Sequence, residues 1–265
     1  MISYQDRLRQ SARRAGHILC LGIDPDLDRL PLSLAAWEEY VNALLETVQP
    51  AAIKPNAAYF EVFGCEGWAW LERLCGRWRG IVPIILDVKR GDIGPSSKAY
   101  AKSAFERLEV DACTVNPWMG RDSIQPFADY APQHGFYALV RTSNPGHQDL
   151  QKSPVDGQEL WQKLLRELPQ WFPGAGMVVG ATGPQDLAFT CRHLAPDCPL
   201  LIPGVGSQGG QADEVLLALR QTEITLHRVT VSSKILYAQE DFPDLTPLEA
   251  ARKAFQKYAA QLALS

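Results

Sequence analysis

Short apolar runs alternate along this chain with longer stretches in which apolar residues return every three or four positions. The runs at 18–24, 51–55, 83–89, 112–117, 135–143, 176–182, 200–206 and 228–233 are rich in Val, Ile, Leu and Ala and read as buried strands. Helix-period stretches follow each of them, at 33–48, 67–79, 96–108, 121–130, 156–171, 184–194, 211–220 and 247–264. Near-continuous apolar strands, each followed by a helix, imply parallel pairing with helices covering the sheet. Eight such units close most simply into a (β/α)8 TIM barrel of the α/β class, a single domain over 1–265. An open doubly wound sheet would call for a GxGxxG turn after the first strand, where Gly22, Ile23, Asp24 and Pro25 stand instead. Tyr4, Leu8 and Ala12 lie four apart and predict a short N-terminal helix before the first strand.

Composition narrows the picture. The 265 residues are 46% hydrophobic and 21% charged, enough for one large core. The net charge of -4 argues against a nucleic-acid partner, though a local site can still attract a small anion. Six cysteines form no CxxC pair and no metal-ligand spacing with histidine, as expected for reduced thiols in the cytoplasm. No run is apolar and long enough to span a membrane, and the N-terminus lacks the apolar region of a secretory signal. The longest irregular stretch, 142–155, is a candidate lid or ligand contact.

In such barrels the site forms at the carboxyl ends of the strands. Polar residues collect there: Asp24, Lys54, Asp87 and Lys89, Asn116, Ser143, Thr182, the glycine-rich 204–210 turn, and Lys234. The third strand ends in DVKRGD, so two carboxylates, Asp87 and Asp92, flank the ammonium of Lys89. Side chains alternate faces along a strand, so Asp87 and Lys89 are expected to point the same way. Burying such a cluster is unfavourable for stability, which points to chemistry. Nearby carboxylates favour an ammonium over an amine, suiting a proton donor better than a Schiff-base nucleophile. The glycine-rich turn, with Gly206, Gln208 and Gly209, stands where these barrels hold phosphate on backbone amides, and Lys234 follows the last strand. No dinucleotide fingerprint, P-loop or clear metal-ligand arrangement occurs. These residues therefore describe a proton-transfer or charge-stabilising site for a phosphorylated small molecule.

The blocks CLGIDPD (20–26), IKPNAAYFE (53–61), DVKRGDIG (87–94), VNPWMGRDS (115–123), RTSNPG (141–146), VVGAT (178–182) and LIPGVGSQGG (201–210) together resemble the orotidine 5′-phosphate decarboxylase family, its longer bacterial branch above all. The DxKxxD element, here Asp87, Lys89 and Asp92, is the family's signature. The resemblance implies decarboxylation of orotidine 5′-phosphate to uridine 5′-phosphate without cofactor or metal, in pyrimidine nucleotide synthesis. It also implies a homodimer with Asp92 reaching into the neighbouring site. Lys89 would protonate the pyrimidine carbon as carbon dioxide leaves, beside Asp87. Asp24 and Lys54 would bind ribose hydroxyls, with Ser96 near the ribose. Ser143 would contact the pyrimidine, and Gln208 with neighbouring amides the phosphate.

Two positions depart from that pattern. The family usually has an arginine and then a glycine after the last strand, and this chain has Lys234 and Ile235. Lysine keeps the charge but loses the two-pronged grip on phosphate, so a weaker phosphate hold is expected. Pro95 replaces a small polar residue and suits the first turn of the next helix. Two other readings stay open at this level: metal-assisted enolate chemistry on another sugar phosphate, and a non-catalytic nucleotide-binding relative.

Overall fold

The computed structural model describes residues 2–206 and 208–264, so Ser207 within the glycine-rich turn lies outside the described residues. Eight parallel strands follow the expected order: β1 (Leu19–Ile23), β2 (Ala52–Pro55), β3 (Ile85–Arg90), β4 (Ala112–Val115), β5 (Gly135–Arg141), β6 (Gly176–Val179), β7 (Leu200–Ile202) and β8 (Arg228–Val231). They pair in the order β2-β1-β8-β7-β6-β5-β4-β3. Parallel bridges Ile53↔Ile84 and Asn56↔Asp87 join the last pair of edges, so the sheet closes into a barrel. Each observed strand stops short of its apolar run at the carboxyl end, except β2, which ends with its run at Pro55, and β3, which runs on to Arg90. There the chain leaves the ladder to aim polar side chains inward.

Among the described residues, nine helices of eight or more residues pack outside or below the sheet: α1 (Tyr4–Ala15), α2 (Leu34–Thr47), α3 (Gly64–Trp78), α4 (Gly94–Lys102), α5 (Arg121–Ala128), α6 (Leu160–Trp171), α7 (Pro184–His193), α8 (Ala212–Leu219) and α9 (Pro247–Gln261). The main core lies between strands and helices, with Trp37, Trp70 and Trp161 fully buried in it. A second, smaller apolar cluster fills the barrel interior and includes Cys20, Ile85, Tyr137 and Leu201. Tyr4 belongs to this inner cluster, because α1 closes the bottom of the barrel. Its hydroxyl meets that of Tyr137 at 2.7 Å, edge-on to the Tyr137 ring. A Cβ at position 135 would lie 2.2 Å from the Tyr4 ring, so only glycine admits the plug. Arg228, wholly buried beside it, donates to the carbonyls of Leu8, Ala51, Thr225 and His227. It thereby ties α1 to β8 through neutral acceptors rather than a carboxylate.

The 142–155 stretch has more structure than its sequence suggests. It holds a short helix, His147–Leu150, and a two-stranded pair, Pro154–Val155 with Gln158–Glu159. Asp156 and Gly157 both adopt positive φ, 51° and 76°, which makes the tight hairpin turn between them. That turn delays α6 to Leu160, four residues after the predicted start at 156. After β8, residues 232–233 leave the strand and a short helix, Ser233–Leu236, carries Lys234.

Candidate active site

The carboxyl ends of the strands surround a cavity of about 450 Å3. Asp24, Lys54, Asp87, Lys89, Ser143 and Gln208 all line it, so the barrel brings half of the sequence-derived candidates together. Asp87 lies at the centre. Its Oδ2 accepts from Lys54 Nζ at 2.7 Å, and its Oδ1 accepts from Lys89 Nζ at 2.6 Å. The Thr114 hydroxyl donates to the same Oδ1 at 3.0 Å. Burial alone would raise the Asp87 carboxyl, but the two ammonium groups outweigh it and hold it well below the usual carboxylate range. Lys54 is buried too, and the carboxylates of Asp87 and Asp24 overcome that burial and push its ammonium above the ordinary lysine value. The side chain of Lys89 is half exposed, with its head toward the cavity.

Asp87 and Lys89 converge, though not for the reason simple alternation gives. β3 bulges at this point, and Lys89 has a positive φ of 45°. Alternation is broken between the two residues, and the bulge aims Lys89 back at Asp87.

The adjoining wall, built from the ends of β1 and β8, is also polar. Asp24 Oδ1, Thr230 Oγ1 and Ser232 Oγ are buried without a hydrogen-bond partner among the described residues, and all three residues line the cavity. Buried polar atoms of this kind ordinarily find a partner, so they mark where a polar ligand belongs. Tyr237 fixes the Asp24 loop: its hydroxyl donates to Asp24 O at 2.5 Å and accepts from Asp26 N at 2.7 Å.

The remaining candidates sit elsewhere. Asp92 is outside the cavity lining, where its Oδ1 accepts from Ile93 N at 2.8 Å. Ser96 is exposed in the first turn of α4, with Pro95 in that same turn as expected. Asn116 turns sideways, its Oδ1 accepting from Trp118 N at 3.0 Å, and borders a neighbouring cavity instead. In the glycine-rich turn the amides of Gly206, Gly209 and Gly210 donate to Gly210 O, Gly206 O and Gly204 O. These three amides are therefore engaged within the turn itself. Lys234 pairs with Asp241 at 3.0 Å at the surface.

Sequence reasoning missed Thr114, Tyr59 and Thr230, which also line the cavity. The signal for Thr114 and Thr230 was available: each is a hydroxyl between apolar neighbours at an inward-facing position of a buried strand, in ACTV and RVTV. Tyr59 gave none, since it lies on a short helix, Ala57–Glu61, that no periodicity announced. Among the described residues, no group of three or more His, Cys, Asp or Glu side chains is placed to hold a metal ion.

The arrangement has counterparts in known proteins. The chain is 41% identical over 247 residues to an orotidine 5′-phosphate decarboxylase of Roseiflexus sp., covering 89% of this chain and 90% of the relative. It is 40% identical over 265 residues to the enzyme of that name from Herpetosiphon aurantiacus, covering 96% of each. Among solved structures, Leishmania donovani OMP decarboxylase superposes with a TM-score of 0.84 at 34% identity, covering 98% of this chain and 97% of the other. Leishmania donovani UMP synthase gives a TM-score of 0.86 at 35% identity, covering 99% of this chain and 56% of the longer one. The model of the orotidine 5′-phosphate decarboxylase / HUMPS family matches residues 17–243, so the chain belongs to that family.

Proposed function

We propose that this protein decarboxylates orotidine 5′-phosphate to uridine 5′-phosphate, without a cofactor, in pyrimidine nucleotide synthesis. The observation that carries the reading is the Lys54–Asp87–Lys89 chain, buried at Lys54 and Asp87, sharing one cavity with the unpartnered oxygens of Asp24, Thr230 and Ser232. A pyrimidine nucleoside carrying a carboxylate offers what both walls lack. Its ribose hydroxyls suit Asp24, and its reacting carbon meets the Lys89 ammonium.

The step balances simply. The bond from C6 to the carboxylate breaks, and carbon dioxide leaves with its electron pair left on C6. Lys89 then gives an N–H proton to that carbon and recovers it from water through its exposed side. The ammonium stabilises the developing carbanion before transfer, which is where a fixed charge in a water-poor site acts most strongly. Asp87 is ionised throughout, because two ammonium groups hold it so. Its negative charge beside the substrate carboxylate is relieved as neutral carbon dioxide departs. Phosphate held by the Gln208 side chain, with Lys234 nearby, anchors the far end and orients the ring, while the Gly206, Gly209 and Gly210 amides stay paired within their turn.

The site belongs to a homodimer in this reading. Asp92 lies outside its own chain's cavity, yet it is part of the same six-residue element as Asp87 and Lys89. Around it, Val62, Ile93, Trp118 and Met119 are exposed apolar side chains on the segments that follow β2, β3 and β4. A second copy seated on that face would cover them and receive Asp92 at its own charge cluster. The reading also places the protein in the cytoplasm, consistent with free cysteines of which all but Cys65 are buried. No helix among the described residues is long and apolar enough to cross a membrane.

Turnover tests the reading directly. Purified protein in EDTA should consume orotidine 5′-phosphate, followed by its ultraviolet absorbance, and Lys89→Ala should abolish the reaction. A folded wild-type protein with no turnover at high concentration, or one that needs added divalent metal, would overturn it.

A further inference from the structure

β3 and β4 pair regularly at Ile85↔Ala112 and Leu86↔Cys113, and pairing resumes only at Arg90↔Val115. Between those points three residues of β3, at 87, 88 and 89, face the single residue Thr114 of β4. The backbone groups that a ladder would satisfy are taken over by one side chain. Thr114 Oγ1 accepts from Val88 N at 2.9 Å and from Lys89 N at 2.9 Å, and it donates to Asp87 Oδ1 at 3.0 Å. A hydroxyl has one proton and two lone pairs, so all of its bonding capacity is used. Thr114 is 1% exposed, so the protein rather than solvent supplies these contacts.

Lys89 needs such support. A left-handed backbone is unusual for a residue with a side chain and persists only where the surroundings impose it. Without two acceptor contacts on successive amides, the 87–89 segment has no reason to bulge. Lys89 would return to strand alternation and lose Asp87.

We infer that Thr114 is a positioning residue for the reaction: one hydroxyl pins the bulge that aims Lys89 and orients the carboxylate of Asp87. The inference rests on the decarboxylase reading for its kinetic readout, though its structural readout does not need that reading. Thr114→Val keeps shape and removes the hydroxyl, while Thr114→Ser keeps the hydroxyl and removes a methyl group. Steady-state kinetics on orotidine 5′-phosphate should show kcat lowered about a hundredfold in Thr114→Val, as a misplacement near 1 Å typically produces, with KM within about threefold. Thr114→Ser should keep kcat within about threefold of wild type. Thr114→Cys, a weaker partner of similar size, should fall between them and serves if the valine variant does not fold. A crystal structure of Thr114→Val should show residue 89 out of the left-handed region and its ammonium detached from Asp87. Wild-type kcat in Thr114→Val or Thr114→Cys would overturn the inference, as would equal losses in Thr114→Val and Thr114→Ser. So would an unchanged 87–89 backbone in the Thr114→Val crystal. A wild-type protein inactive on orotidine 5′-phosphate would instead overturn the functional reading, and the crystal structure would still decide the role of Thr114.

Discussion

Replacing Lys54 with methionine should destabilise the fold far more than an ordinary lysine substitution does. The side chain of Lys54 is 6% exposed and that of Asp87 12%, with 2.7 Å between them. Lys54→Met fills the same space but leaves Asp87 a buried carboxylate with Lys89 as its one remaining ammonium. Breaking a buried pair in this way costs about 3–5 kcal/mol, or roughly 10 °C of melting temperature for a chain of this size. Asp87→Leu should cost a similar amount, because it leaves Lys54 buried and charged without Asp87. The double variant Lys54→Met/Asp87→Leu removes both charges together. It should come within about 2 kcal/mol of wild type, because desolvation and attraction nearly cancel in a buried pair. Urea denaturation followed by tryptophan fluorescence gives all three differences, and the coupling should be at least roughly 3 kcal/mol. The gap between wild type and Lys54→Met should also narrow in acid. Asp87 is held below the usual carboxylate range, so its contribution is complete above about pH 4 and is lost as pH falls toward its folded value. Additive single-variant losses, or a Lys54→Met loss under about 1 kcal/mol, would refute the claim that this cluster is kept for chemistry against a stability cost.

Three further outcomes follow from other parts of the fold. Burial pushes His17 down to about 4 and His227 to about 3, where their Nδ1 atoms accept from Leu19 N and Leu200 N at two strand starts. Each stays neutral in the folded state while the unfolded chain protonates below about pH 6.5. Stability should therefore fall between pH 6.5 and 5 by up to roughly 1.4 kcal/mol per pH unit for each histidine; a flat denaturation midpoint there would contradict it. Tyr4→Ala opens the bottom of the barrel beside Tyr137 and should cost about 3–5 kcal/mol, read by thermal denaturation, with no direct contact to the reacting cavity. Lys234→Arg supplies the fork that the lysine lacks and should lower KM for orotidine 5′-phosphate severalfold at unchanged kcat, with steady-state kinetics as the check.

The barrel was legible because its signal is periodic and repeated. Eight apolar runs separated by helix-period stretches leave little choice of architecture, and the four-residue spacing of Tyr4, Leu8 and Ala12 marks α1, which buries all three. The central pair, Asp87 and Lys89, was legible for a different reason: charge at the end of a buried strand demands an explanation. What could not be read was local geometry that depends on a neighbouring strand. The bulge at Lys89 is made by Thr114, which is 25 residues away in sequence, and no pattern within β3 announces it. The same holds for Asn116, which caps the Pro117–Met119 turn rather than facing the central cavity. Asp156-Gly157 was a readable turn signal that the helical period of the following residues masked. The family resemblance named Asp92 and Lys234, but only coordinates reveal that one lies outside its own chain's cavity and the other faces Asp241.

A mixing experiment tests the account most directly, because it requires the activity, the proton donor and the shared site together. Lys89→Ala and Asp92→Ala should each be nearly inactive on orotidine 5′-phosphate. After subunit exchange, half of the dimers pair one variant with the other, and each of these has one site with Lys89 and Asp92 both intact. The mixture should then recover about a quarter of wild-type decarboxylation per site, as two-fold symmetry dictates. A mixture that stays as inactive as its components, with exchange verified by mass spectrometry, would contradict a site built from Asp87 and Lys89 of one subunit and Asp92 of its partner.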